Sequence, residues 1–337
     1  MFTWKKAGTE WLRPKSRGKG LMISEFLTAA HGRLHYWKRS RDQPAVKLEA
    51  CEIIKYGTGK GDEGWWTAEK MVNQVIEKAI PIFEMAFPHC IAVFAFDNSS
   101  GHACKAADAL VARRMNLRPG GKQPVMHSTT MKDGQYQSMV FEPGDCLWET
   151  DIPISPHLIG CPKGMQRVMQ ERGIWEDDLR KQCGSEKKKD KGGAETEEER
   201  ELRQIDQCEK GKTCCALRIL ENEDDFKNEK SLLEIEIVKR GHEVIFYPKF
   251  HCELNYIEYF WAEVKRYTRE NCNYSFKELE ETIRKGLDFP SLKTIRRFAN
   301  RSMRWMEAYD QKLTKEQRDF AEKQYKSHRR EYRRNLV

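Results

Sequence analysis

The chain has 337 residues, 39% hydrophobic and 33% charged, with a formal net charge of +8. That composition supports one large or two ordinary domains with a real core and argues against a wholly disordered chain. No apolar run approaches membrane-spanning length and "MFTWKKAGTEW" has no signal-peptide core, so a nuclear or cytoplasmic protein without a membrane partner is expected.

In chain order, "GLMISEFL" and "GRLHYW" predict a hairpin turning around Ala29 to Gly32, and "KLEACEIIKYG" predicts a further strand. The glycine-rich "GTGKGDEG" around Gly59 lacks the Gly-Lys-Ser/Thr ending of a phosphate loop and reads as a turn. Thr67 opens a helix in which Met71, Val75, Ile76 and Ala79 share a face, with Pro81 set to kink it or end it. Ile91 to Phe96 is apolar on both faces, as an interior sheet strand would be. The Gly-, Lys- and Glu-rich run from Gly184 to Gln204 has too few apolar residues to fold and reads as a low-complexity insert. "EVIFYPKF" is another short strand, and helices are expected from Tyr256 onward.

The charge is concentrated at the C-terminus. Residues 291–337 hold fourteen Lys/Arg against six Asp/Glu, which equals the excess of the whole chain. Arg296, Arg297, Arg301, Arg304, Arg329, Arg330, Arg333 and Arg334, with Trp305, Tyr309, Tyr325 and Tyr332 among them, are candidates to lie along a phosphate backbone; a basic but merely solvated helix is the alternative.

Eleven scattered cysteines fit reduced thiols better than a disulfide framework. Cys183, Cys208, Cys214 and Cys215 lack the paired C-x-x-C spacing of a zinc site. His251 and Cys252 are adjacent on an extended segment, so their side chains should point apart and make a poor catalytic pair.

Two stretches carry the candidate chemistry. In "FAFDNSSGH" a strand delivers Asp97 and Asn98 at its tip, then small residues and His102; the plain alternative is a helix entry capped by Asp97 or Asn98. In "FHCELNYIEYFWAEVKRYTRE" Ile257, Phe260, Trp261 and Val264 line one helix face, with Glu258 beside it. Asn255 is a favoured N-cap and Glu258, three positions on, would complete a variant capping box. An acid in the first turn of that helix is also well set to meet an acid at a strand tip. Carboxylates from rigid, sequence-distant elements are what two-metal phosphoryl transfer requires, with Mg2+ or Mn2+ as the hard cation.

Together "AFDNSSGH" and "PKFHCELNYIEYFWAEVKR" resemble the second and third catalytic motifs of mariner-superfamily DDE transposases. The resemblance extends to "TWKKAGTEWLRPKSRGKGLMISEFL" and to "TIRRFANRSMRWMEAY". It implies an α/β, RNase H-like (retroviral integrase-like) mixed sheet flanked by helices: a catalytic domain over residues 1–290, with the insert at about 184–204, and a basic helical extension over 291–337. Asp97 and Glu258 would be catalytic metal ligands, and Asn98, His102 and Asn255 would support them. DNA would be the partner, with a second copy of the chain as a further one.

Three departures qualify the match. Tyr256 stands where the family has proline, which the first helical position tolerates. Glu258 lies much further along the chain from Asp97 than in short members of the superfamily, which implies a long insertion. The family's first catalytic Asp lies upstream of the segment that begins here at Phe2, so the resemblance implies a chain truncated at its N-terminus, a sheet incomplete at its first strand, weakly bound metal and a loss of DNA cleavage and joining. Glu25 is the tempting substitute for that Asp, but it matches a later strand and reads as an acid facing solvent. The competing expectation is a non-catalytic nucleic-acid-binding or protein-interaction remnant of a domesticated transposon.

Overall fold

The computed structural model describes residues 19–39, 44–57, 62–99, 101–177, 179–183, 213–272 and 275–324. The opening segment before Lys19, the core of the glycine-rich turn, Ser100, the low-complexity insert, Cys208, Tyr325, Arg329, Arg330, Tyr332, Arg333 and Arg334 lie outside the described residues. Two compact units make up the chain: Met1–Cys104 with Leu233–Val337, and Lys105–Leu232.

The first unit begins with three extended stretches, each broken once. They hold β1 (Gly20–Ser24) and β2 (Leu27–Thr28), β3 (Gly32–Arg33) and β4 (His35–Lys38), and β5 (Val46–Glu49) and β6 (Glu52–Tyr56). All pairing is antiparallel: β1 with β6, β2 with β3, β4 with β5, so each stretch pairs with both others. The expected hairpin is present between β2 and β3, and Gly32 takes the positive φ of 82° that its turn demands. "KLEACEIIKYG" is two strands rather than one, because the chain switches partner at the fully buried Ala50.

Two carbonyls at the breaks take a side-chain donor. Gln74, 2% exposed, supplies the donor: its Nε2 donates to Ser24 O (3.2 Å) and Ala50 O (2.8 Å). Gln74 ends α1 (Ala68–Gln74), which Thr67 caps through Lys70 N–H as expected. Pro81 neither ends this helix nor breaks it. A π-helical turn, Val75–Ala79, precedes α2 (Ile80–Ala86), with Pro81 in the first turn of α2, where its missing N–H costs little.

Next comes β7 (Val93–Phe96). Phe94 and Phe96 are buried, whereas Val93 is 56% exposed, so the expectation of a strand buried on both faces does not hold. The parallel pair that β7 forms with Glu243–Phe246 is covered on one face only: Val93 and, on the neighbouring strand, Ile245 share the open face.

The second unit fills most of the interval between Asp97 and Glu258 and thereby accounts for its length. It contains the short pair β8 (Thr129–Thr130) and β9 (Tyr136–Gln137), then α3 (Gly164–Glu171), α4 (Ala216–Asn222) and α5 (Asp224–Lys227). Met165, Val168, Met169, Leu217 and Leu220 form its core. Arg172 clamps Asp225 (2.6 Å) and Glu223 (3.3 Å).

The chain returns to the first unit through α6 (Leu232–Lys239) and β10 (Glu243–Phe246), the parallel partner of β7. The helices α7 (Ile257–Asn271), α8 (Phe276–Asp288), α9 (Leu292–Asp310) and α10 (Lys315–Gln324) follow, as the sequence predicts. Phe260, Val264, Ile283, Leu287 and Ile295 form a core on which Leu21, Ile23 and Ile53 of the β1–β6 pair also pack. The basic helix α9 is therefore part of this core.

The architecture is mixed α/β, with small open sheets flanked by helices and a helical C-terminal region. No helix among the described residues is long and apolar enough to cross a membrane.

Candidate functional site

Asp97 and Glu258 both follow the carboxyl ends of adjacent parallel strands. Asp97 comes directly after β7, and Tyr247 N–H donates to Phe96 O (2.8 Å), extending the ladder by one residue. A 3-10 turn at Cys252–Leu254 then leads into α7, whose second residue is Glu258. In open α/β sheets this end of the strands is where ligands collect.

Asp97 heads a tight turn rather than a helix, so the capping alternative fails: Ala103 N–H donates to Ser99 O (3.0 Å) and no helix begins there. The turn brings His102 back. Its Nδ1 meets Asp97 Oδ1 in a very short contact and lies 3.0 Å from both Asp97 O and Ser99 Oγ, while its ring packs 5.0 Å from that of Phe96. The hydrogen bond with His102 holds the Asp97 carboxyl below the usual carboxylate range against the opposing effect of burial. Asn98 is half-buried beside it.

Glu258 does not complete a capping box. The residue at the N-cap of α7 is Tyr256, with no side-chain cap, and Asn255 contributes its backbone carbonyl, accepting from Glu258 N–H (3.1 Å). Among the described residues no hydrogen bond reaches the Glu258 carboxylate. Though exposed, it sits close enough to protein for desolvation to raise it; Lys265 opposes that rise and the charge of Asp97 adds to it. The two carboxylates thus lie within electrostatic reach, and Asp97 is the acid whose charge acts on Glu258.

Hard, negatively charged oxygens that repel one another suit a divalent cation such as Mg2+ or Mn2+, and two of them make a partial ligand set. Among the described residues they form a pair, not a triad. Among the described residues the group of three metal-capable side chains is a different one, Cys183, Cys214 and Cys215.

Glu25 is not the solvent-facing acid that its strand position suggests. It is 6% exposed and pairs with Arg33 Nε (2.6 Å), and it also accepts from Phe26 N–H (2.9 Å). Arg33 reaches Glu49 (3.2 Å) and Asp288 as well. Glu25 is thereby engaged in holding the broken strands together.

The predicted DNA-contacting arginines divide. Arg296 donates to Ala29 O (3.1 Å) and Ala30 O (2.9 Å) at the hairpin turn, and the Arg301 guanidinium stacks 4.8 Å over Tyr259. Arg304 is half-buried, and Arg297 is exposed on α9.

Nothing in the sequence pointed to Glu253. Its carboxylate takes Tyr309 OH (2.5 Å) and His251 Nδ1 (2.8 Å), its carbonyl takes Ser302 Oγ (2.9 Å), and its hydrogen bonds hold it below the usual carboxylate range against burial. The cluster pins α9 to the turn that precedes α7. Its members are scattered from His251 to Tyr309 without a recognisable spacing, so the pattern emerges only on folding.

Comparison of the chain with protein-family models, with curated proteins and with solved structures finds no match.

Proposed function

We propose that the chain is a DDE-type phosphoryl-transfer domain of RNase H-like class, derived from a mariner-superfamily transposase. DNA is its partner and the nucleus its expected address. The observation that carries this reading is the convergence of a strand-end acid and a first-turn helix acid at the carboxyl ends of the paired strands β7 and β10, near enough that the charge of Asp97 adds to the burial that raises the Glu258 carboxyl. The residues "AFDNSSGH" and "LNYIEYFW" supply the same pair by resemblance.

The bound cation would neutralise the developing charge on the transferred phosphate. His102 keeps Asp97 ionised and oriented as a ligand, and no hydrogen bond among the described residues engages the Glu258 carboxylate, which leaves its oxygens open to a cation. Asn98 and Asn255 flank the two acids as supporting residues. Two carboxylates hold one ion weakly, and in-line displacement with two metals takes a further acid. Two carboxylates alone therefore fit an ancestral cleavage and joining activity that is lost, and no nicking is expected of them.

A second reading, a nucleic-acid-binding remnant without catalysis, is favoured by the exposed Lys293 and Arg297 on α9 and by the basic excess that follows. A duplex-DNA gel shift with a supercoiled-plasmid nicking assay separates the outcomes. Salt-sensitive binding without nicking in Mg2+ or Mn2+ is expected. Robust nicking that is lost in Glu25→Ala but retained in Asp97→Ala would overturn the assignment of the acids.

A further inference from the structure

Three cysteines in the second unit come together from two segments that flank the low-complexity insert. The Sγ atoms of Cys183, Cys214 and Cys215 all lie within 4.8 Å of one another. Cys214 Sγ and Cys215 Sγ are 3.8 Å apart. Zinc bound to thiolates at about 2.3 Å in tetrahedral geometry sets neighbouring sulfurs about 3.8 Å apart, so the Cys214–Cys215 pair already matches and the other separations need to close by at most about 1 Å.

Backbone hydrogen bonds and core packing tie together the segments that carry these sulfurs. Ala216 N–H donates to Arg180 O and Leu217 N–H to Lys181 O, each at 3.0 Å, stitching the segment that ends at Cys183 to the start of α4. Cys215 is 1% exposed within the core of the second unit, and Cys183 and Cys214 pack against that core. Arg180 and Arg218 bring positive charge to Cys183. Three thiolates with one Zn2+ carry a net negative charge, which those two guanidinium groups offset. Thiolate ligands select a soft or borderline metal, which separates this cluster from the carboxylate pair in chemistry.

We propose that Cys183, Cys214 and Cys215 form a structural zinc site of the reduced chain, with one coordination position left to a further ligand. Against the expectation of thiols throughout, Cys214 is disulfide-bonded in this structure, so loading begins with reduction. A dithiol passes two electrons and two protons to the bridge, becoming a cyclic disulfide and releasing Cys214 and its partner as thiols. Zn2+ then displaces the thiol protons of the three ligands.

The test is metal content of the full chain, reduced with a dithiol, incubated with Zn2+, freed of excess metal and assayed by a chromogenic chelator after denaturation. The expected result is about one zinc per chain. Zinc should be lost in Cys183→Ser and Cys214→Ser and retained in Cys90→Ser, whose thiol is exposed elsewhere. Cobalt in place of zinc should give a thiolate-to-metal charge-transfer band that disappears in the same two variants. Substituting the buried Cys215 risks the fold, so the half-exposed Cys183 and Cys214 carry the test. Zinc content unchanged by Cys183→Ser, no metal retained by the reduced wild-type chain, or a Cys214 bridge that survives the dithiol would each overturn the proposal.

Discussion

Removing Glu25 should damage the fold far more than its place on a short strand suggests. Its side chain is fully buried and that of Arg33 is 10% exposed, with 2.6 Å between Glu25 Oε2 and Arg33 Nε. Burial raises the Glu25 carboxyl despite the attraction of Arg33, so the pair does not fully offset its own desolvation. Breaking such a pair from one side costs about 3–5 kcal/mol, since the remaining charge is stranded. Arg33 retains Glu49 and Asp288, which are 36% and 63% exposed, so Glu25→Ala belongs at the lower end, about 3 kcal/mol. With a urea dependence of about 2 kcal/mol per molar, the midpoint of the first unit should fall by roughly 1.5 M. Replacing both partners, Glu25→Leu with Arg33→Met, should cost less than Glu25→Ala alone, because neither charge then remains buried. Urea titrations followed by hydrogen exchange at the β2 and β3 amides would report this locally. A loss below about 1 kcal/mol for Glu25→Ala, the level of a surface ion pair, would refute the reasoning.

Four further outcomes follow. Asp97→Asn should lower the pKa of Glu258, read by carbon NMR of its carboxyl, because the charge that helps raise it is gone; an unchanged value would mean the two acids do not communicate. In the wild-type chain Asp97, depressed on folding, contributes stability above its unfolded pKa that is lost as pH falls through its folded pKa. Glu258, raised on folding, contributes stability below its unfolded pKa that is lost as pH rises through its folded one, so the two should tilt acid unfolding in opposite directions. Gln74→Leu should destabilise the first unit by about 1–3 kcal/mol, since Ala50 O and Ser24 O lose a side-chain donor, while leaving DNA affinity unchanged. Arg297→Ala should weaken DNA binding and reduce the salt slope by about 0.9, whereas Arg296→Ala should act mainly on stability through the hairpin turn, as thermal unfolding beside gel shifts would distinguish.

The readable parts of this sequence are local. The hairpin at Gly32, the Thr67 cap, the strand that ends at Asp97 and the helix that begins near Glu258 each announce themselves within a few residues, through turn chemistry, capping and periodicity. Where the structure departs from expectation, the cause is a tertiary partner. Ala50 is a strand break because the chain changes neighbours there, and Gln74 makes the break tolerable from 24 residues away. Pro81 sits inside a helix because a π turn just before it absorbs the missing hydrogen bond. Glu25 looks solvent-facing by alternation, yet Arg33 on the next strand stretch draws it inside. Val93 looks like core by composition and is exposed because the face of the β7–β10 pair that it shares with Ile245 is left uncovered. The cysteine cluster had no knuckle spacing to reveal it, since two of its members are adjacent and the third, Cys183, lies on the far side of the low-complexity insert.

The central claim is that Asp97 and Glu258 act together on one divalent cation. Manganese binding to the full chain, followed by water-proton relaxation enhancement, tests it most directly, with Asp97→Asn and Glu258→Gln measured beside the wild type. Weak, saturable binding in roughly the millimolar range is expected, abolished by each substitution and competed away by Mg2+. Wild-type binding that neither substitution alters, or no saturable binding at all, would contradict it.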